Sequence, residues 1–112
     1  MMRPAMSAAA RALLRALLAR TPADRDRILL IDVHSTDWQS LTFVGERHEI
    51  CLRIVGPDSA AVVNRLTHGL EDAEFNLPGQ IVAEIDLAEP PRGEADGSLV
   101  LTVEALTIAS GD

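Results

Sequence analysis

Apolar positions recur along the chain with two different periods, and the change of period divides it. In "MSAAARALLRALLART", Met6, Ala10, Leu13, Leu14 and Leu17 share one face at helical spacing, with Arg11 and Arg15 on the flank. That pattern predicts a short amphipathic helix. Thr21-Pro22 ends it, because the residue before a proline is driven out of helical geometry. From residue 27 the period becomes two. "RILLIDVHS" sets Leu29, Ile31 and Val33 against Ile28, Leu30, Asp32 and His34, which predicts a strand whose far end turns polar. "SLTFVGERHEICLRIV" reads as two more strands, Leu41–Val44 and His48–Val55, around a turn at Gly45-Glu46-Arg47. Ile50, Leu52 and Ile54 face inward, and a single bent strand is the competing reading.

"GPDSAAVVNRLTHGLEDA" returns to helical spacing. Pro57 suits the first helical position, and Asp58 and Ser59 complement the positive end of the helix. Val62, Val63, Leu66, Leu70 and Ala73 form its apolar stripe, and Gly69 offers an early stop. "QIVAEIDLA" and "SLVLTVEALTI", joined by the Pro/Gly-rich "EPPRGEADG", predict an antiparallel hairpin. The order α-βββ-α-ββ describes an α+β fold. It has an antiparallel sheet of about five strands, one helix packed on one face, and an amphipathic N-terminal helix. The organisation expected is a separable helical arm over residues 1–22 and one α+β domain over 23–112. No internal repeat or low-complexity tract interrupts it, and no family signature stands out.

Composition narrows the functional classes. With 112 residues and 47% apolar content the chain has material for one core, built from aliphatics because aromatics are only 3%. Its ten basic residues are all Arg, and the Ala, Arg and Leu richness fits a GC-rich bacterial genome. Seventeen acids leave a net charge of −7, concentrated beyond residue 20, since Arg3, Arg11, Arg15 and Arg20 precede every acid. Such a body repels phosphate backbones, so nucleic acid is not an expected partner. The arginines that interrupt the N-terminal helix argue against a secretory signal, and the helix is shorter than the roughly 20 apolar residues that span a bilayer, so no membrane contact is expected. The lone Cys51 allows no intramolecular disulfide and points to the cytoplasm. Within "EICLRIV" it reads as a small packed hydrophobe.

"IDVHSTDW" concentrates candidate chemistry. Asp32 and His34 share a strand side at a spacing that suits a shared metal or substrate, but His48, Glu84, Asp86 and Glu104 show no ligand spacing that completes a site. Ser35 points away from His34, so these neighbours cannot form a nucleophile–base pair. Asp37 and Trp38 read as turn chemistry. Glu84 and Asp86 share a face, with Glu104 nearby across the hairpin and Arg53 as the expected counter-charge. The low-probability polar cluster is therefore Asp32, His34, Glu84, Asp86 and Glu104, and no catalytic residue, metal or cofactor is assigned.

The faces of the sheet carry the functional expectation. Ile28, Leu30, Val82, Val100, Leu106 and Ile108 read as an outer face too apolar to stay wet, to be covered by Leu13, Leu14 and Leu17 or by a second copy. The expected function is a small protein–protein interaction or accessory module acting as a homodimer or on another protein. A ligand pocket between helix and sheet, and an enzyme using Asp32 and His34, are the alternatives.

Overall fold

The computed structural model describes residues 6–110. Residues 1–5 of the expected arm and 111–112 of the expected domain lie outside the described residues.

Helix α1 (Ala8–Leu18) leads through a 3-10 turn (Pro22–Arg27) into a long hairpin of β1 (Ile28–Gln39) and β2 (Val44–Ile54). Helix α2 (Ser59–Thr67) and a single 3-10 turn (Leu70–Asp72) follow, then β3 (Gln80–Leu87), the two-residue β4 (Arg92–Gly93) and β5 (Leu99–Ala109). Every pairing is antiparallel, in the order β1-β2-β5-β3, with β4 also on β5. The α+β class, the five-stranded antiparallel sheet and the leading helix follow from the sequence pattern. Two strands precede α2 and three follow it, against the expected three and two.

The difference arises in the first hairpin. The expected turn at Gly45-Glu46-Arg47 lies inside β2, and the chain reverses at Ser40–Phe43, where Ser40 N–H donates to the Phe43 carbonyl at 2.9 Å and Ser40 Oγ accepts from Phe43 N–H at 3.1 Å. Gly45 is required by close approach: a Cβ there would meet the Thr107 carbonyl oxygen of β5 at 2.0 Å.

A β-bulge between Leu30 and Asp32 inverts the expected alternation of β1. Ile28 pairs with Ile54 and is buried on the inner, helix-covered face, not the outer one, and Leu30 shares that face opposite Leu52. Beyond the bulge, Val33 and Ser35 are inward, opposite Ile50 and His48. Val82, pairing with Thr107 and packed against the core, is likewise inner. Val100, Leu106 and Ile108 keep their expected outer positions.

Both helices lie on the inner face. Leu13 and Leu17 of α1 are fully buried with Val62 and Leu66 of α2 over Ile50, Leu52, Ile54, Leu101 and Val103, and Leu14 packs at the margin. Burial of each leucine contributes about 1.5–3 kcal/mol. The helix expected as an arm therefore belongs to the core of its own chain. Polar ties reinforce it. Arg20 donates to the Leu66 carbonyl at 2.8 Å and to that of His68, and Arg65 of α2 donates to the buried Asp24 carboxylate at 2.9 and 3.1 Å.

Helix α2 starts two residues after Pro57, not on it. Asp58 takes the N-cap position in left-handed geometry (φ 59°) with no side-chain capping bond, while Ser59 Oγ donates to the Gly97 carbonyl at 2.9 Å. Gly69, also left-handed, follows the end of the helix as expected.

Candidate functional site: the β1 edge and the two sheet faces

Alternation along β2 carries His48 to the inner face behind Ile50 and Leu52. There it is 1% exposed and bonded through both ring nitrogens: Nδ1 lies 2.7 Å from Ser35 Oγ, and Nε2 lies 2.8 Å from Oγ1 of the fully buried Thr107. Burial holds the imidazole below its ordinary pKa of 6.5, against a smaller upward pull from the Glu46 carboxylate, so it is neutral at pH 7. One proton arrangement leaves no buried donor unmatched. Thr107 donates into Nε2, Nδ1–H donates to Ser35 Oγ, and the Ser35 proton faces the half-exposed side of the strand. In that tautomer the nitrogen beside Ser35 already carries a proton and cannot take one from it. The chain Ser35–His48–Thr107 therefore ties β1, β2 and β5 together without activating a nucleophile. It was legible only in part, because extending the Ile50, Leu52, Ile54 alternation back by two residues places His48 inside, whereas its pairing with Ser35 depends on the bulge.

The expected polar cluster occupies the outer face. His34, Glu49, Glu104 and Asp86 stand in one row across β1, β2, β5 and β3. Asp32 lies one row away opposite Cys51, and Glu84 lies on the other side, beside Leu106. Asp32, His34, Glu49, Glu84, Asp86 and Glu104 are all exposed. The counter-charge to Glu84 is Arg47, at 3.7 Å, not Arg53. Arg53 instead pairs with Asp96 at 2.7 Å in the loop before β5. Hydrogen bonds from Ser98, with the Arg53 charge, lower the Asp96 pKa to about 2. Among the described residues no group of three or more His, Cys, Asp or Glu is arranged to hold a metal ion. Among the described residues no helix is long and apolar enough to cross a membrane.

The expected outer apolar patch is smaller than the sequence suggested, because Ile28, Leu30 and Val82 are on the other face and Leu106 is almost fully buried in the row of the Arg47–Glu84 pair. Exposed apolar side chains concentrate elsewhere: Leu29, Leu30 and Ile31 at the start of β1, and Leu41, Phe43 and Val44 at the hairpin tip. Among the described residues β1 is an edge strand paired only with β2, so its other side presents backbone groups that none of them pairs. Beneath that edge a groove of about 680 Å³ opens between the first turn of α1 and β1, lined by Ser7, Arg11, Leu30, Val33, Ser35 and Glu46 among others. The space between α2 and the sheet, where the alternative reading put a ligand pocket, is occupied by Val62, Val63 and Leu66.

Compared with known protein families, curated proteins and solved structures, the chain matches none.

Proposed function

We propose that this chain is a protein-interaction module that takes up an extended strand along the free edge of β1. The observation that carries this reading is the twelve-residue strand β1, unpaired on one side among the described residues, with Leu29, Leu30 and Ile31 exposed at its start and an open groove behind it. Long edges with exposed aliphatics are normally shortened, charged or covered, and an added strand covers one by completing its backbone hydrogen bonds while alternate side chains enter the groove. The opposite edge is better protected: β3 is shorter than β1 and continues into a loop with Pro90 and Pro91. The catalytic alternative has no comparable support, since Asp32 and His34 are exposed on the outer face and belong to no group of three or more His, Cys, Asp or Glu arranged to hold a metal ion among the described residues.

Site-specific photo-crosslinking in the native cell tests the proposal. A photoreactive residue at Thr36 on β1 is expected to yield discrete protein adducts, and the same residue at Ala83 on β3 is expected to yield none. Adducts from neither edge, or equally from both, would overturn it.

A further inference from the structure

Resting on the reading of β1 as a docking edge, we infer that its occupant is a second copy of this chain, paired antiparallel through β1 about a twofold axis at Ser35. The regular part of β1 is bounded by the bulge at Ile31 and by the turn that starts at Ser40, and Ile31 and Gln39 are equally far from Ser35. A twofold there uses the whole regular run: His34 meets Thr36 of the second copy, Val33 meets Asp37, and Asp32 meets Trp38. All these pairs keep inner residues with inner and outer with outer, as an antiparallel ladder requires.

Two further features fit this register. Leu29 and Leu41 are also equally far from Ser35, so the axis lays the apolar hairpin tip of each copy, with Leu41 and Phe43, against Leu29, Leu30 and Ile31 of the other. Both exposed aliphatic groups of the chain are then covered at once, which leaves neither wet. Shifting the axis to His34 opposes two histidines, places the bulge opposite Asp37, and sets Leu41 against Arg27. The second feature is charge. Arg11 lines the groove beneath Val33 and has no ion pair among the described residues, while Asp37 also has none and faces the like charge of Glu46 across the hairpin. In the Ser35 register Asp37 of the second copy enters the groove that Arg11 lines together with Asp32 and Glu46, so that Arg11, twice by symmetry, is the cation set among these carboxylates. Because the pairing is isologous it closes at two copies and does not propagate.

The experiment uses the full chain with Cys51→Ser, so that only introduced thiols react. Light scattering at about 50 μM is expected to give twice the monomer mass of 12.1 kDa. Under mild oxidation His34→Cys and Thr36→Cys proteins are each expected to stay unlinked alone and to form a covalent dimer when co-refolded together, because residues directly opposite across an antiparallel pair fall within disulfide range. Leu41→Asp, at a fully exposed tip position, is expected to weaken the dimer about tenfold or more, a change of about 1.4 kcal/mol. A monomer mass, a dimer that does not cross-link in the mixture, or cross-linking by either single variant alone would overturn the inference. If the chain is monomeric while Thr36 still captures a different protein in the cell, the docking edge stands and the second copy does not.

Discussion

The two faces of this sheet handle polar side chains by opposite physical means. On the inner face a single imidazole is taken out of water and satisfied atom by atom, between Ser35 and Thr107. On the outer face Glu49, Glu104 and Asp86 stand opposite one another on adjacent strands with no ion pair among the described residues, Asp86 accepting only from the Leu87 N–H at 2.7 Å, and solvent screens their like charges. The inner arrangement depends on geometry and the outer on solvent. The same elements carry both, since a strand's two-residue period sends neighbours in sequence to different dielectric environments. His48 and Glu49 are adjacent in the chain, and the first is buried while the second is exposed. A side chain's chemistry here is set by its parity on the strand more than by its neighbours in sequence.

The largest test of that contrast is packing. Leu17→Ala, on the face where α1 meets the core, is expected to lower stability by about 2–5 kcal/mol through lost burial and a residual cavity. Ile81→Ala, half-exposed on the outer face, is expected to cost less than about 1 kcal/mol. Urea unfolding followed by circular dichroism measures both. Near-equal losses would mean that α1 contributes little to the core or that the outer face is covered in solution.

A second test uses pH. Because burial depresses the folded-state pKa of His48 below the 6.5 of the unfolded chain, the unfolded state binds more protons over that window. Stability is therefore fully present above pH 6.5, declines as pH falls below it, and levels off once pH passes the folded value. His48→Gln is expected to flatten this decline between pH 6.5 and 5, above the range in which ordinary carboxylates titrate. His34 and His68 are exposed and remain in both proteins, so the difference between the two curves isolates the buried ring. Parallel curves would show that His48 is protonated in the fold as readily as in the unfolded chain.

The elements that sequence alone located were those with long, unbroken periodicity. Helix α1, β5 and the stripe of α2 are continuous patterns that local sterics and burial decide together, and β3 was located although a bulge between Val82 and Glu84 breaks its alternation. The errors came from features that only a partner strand can define. An inserted residue at the Leu30/Asp32 bulge breaks the parity of β1, so that Val33 stands on the inner face as its alternation suggested while Ile28 and Leu30 are inner as well and Leu29 and Ile31 are left at the surface. Gly45 looked like turn punctuation because glycine serves turns and close backbone approach equally well, and the Thr107 carbonyl that demands it lies on β5, far along the chain. The polar row His34, Glu49, Glu104, Asp86 was half visible, as the pairing of Asp86 with Glu104 follows from the last hairpin, whereas Glu49 joins them only through the long-range contact of β2 with β5.

That row gives the smallest and most specific test. Glu104 sits between Glu49 and Asp86, directly opposite each on its neighbouring strand. Side chains so placed have Cβ atoms about 4.5–5.5 Å apart, and like charges at that separation are destabilising by a few tenths of a kcal/mol up to about 1. Exposure keeps the figure near the lower end, because water screens the pair. Glu104→Gln removes two repulsions while preserving size and leaving the Arg47–Glu84 pair in the adjoining row, so it is expected to raise stability by about 0.3–1 kcal/mol at low ionic strength. Salt separates this from a change in packing. Raising the ionic strength to about 1 M shortens the screening length to about 3 Å, so the wild-type chain is expected to gain stability and its gap to Glu104→Gln to close. A gap that persists at high salt would mean that the glutamine acts through contacts of its own, and a loss of stability at low salt would mean that the row holds a bound cation that offsets the repulsion.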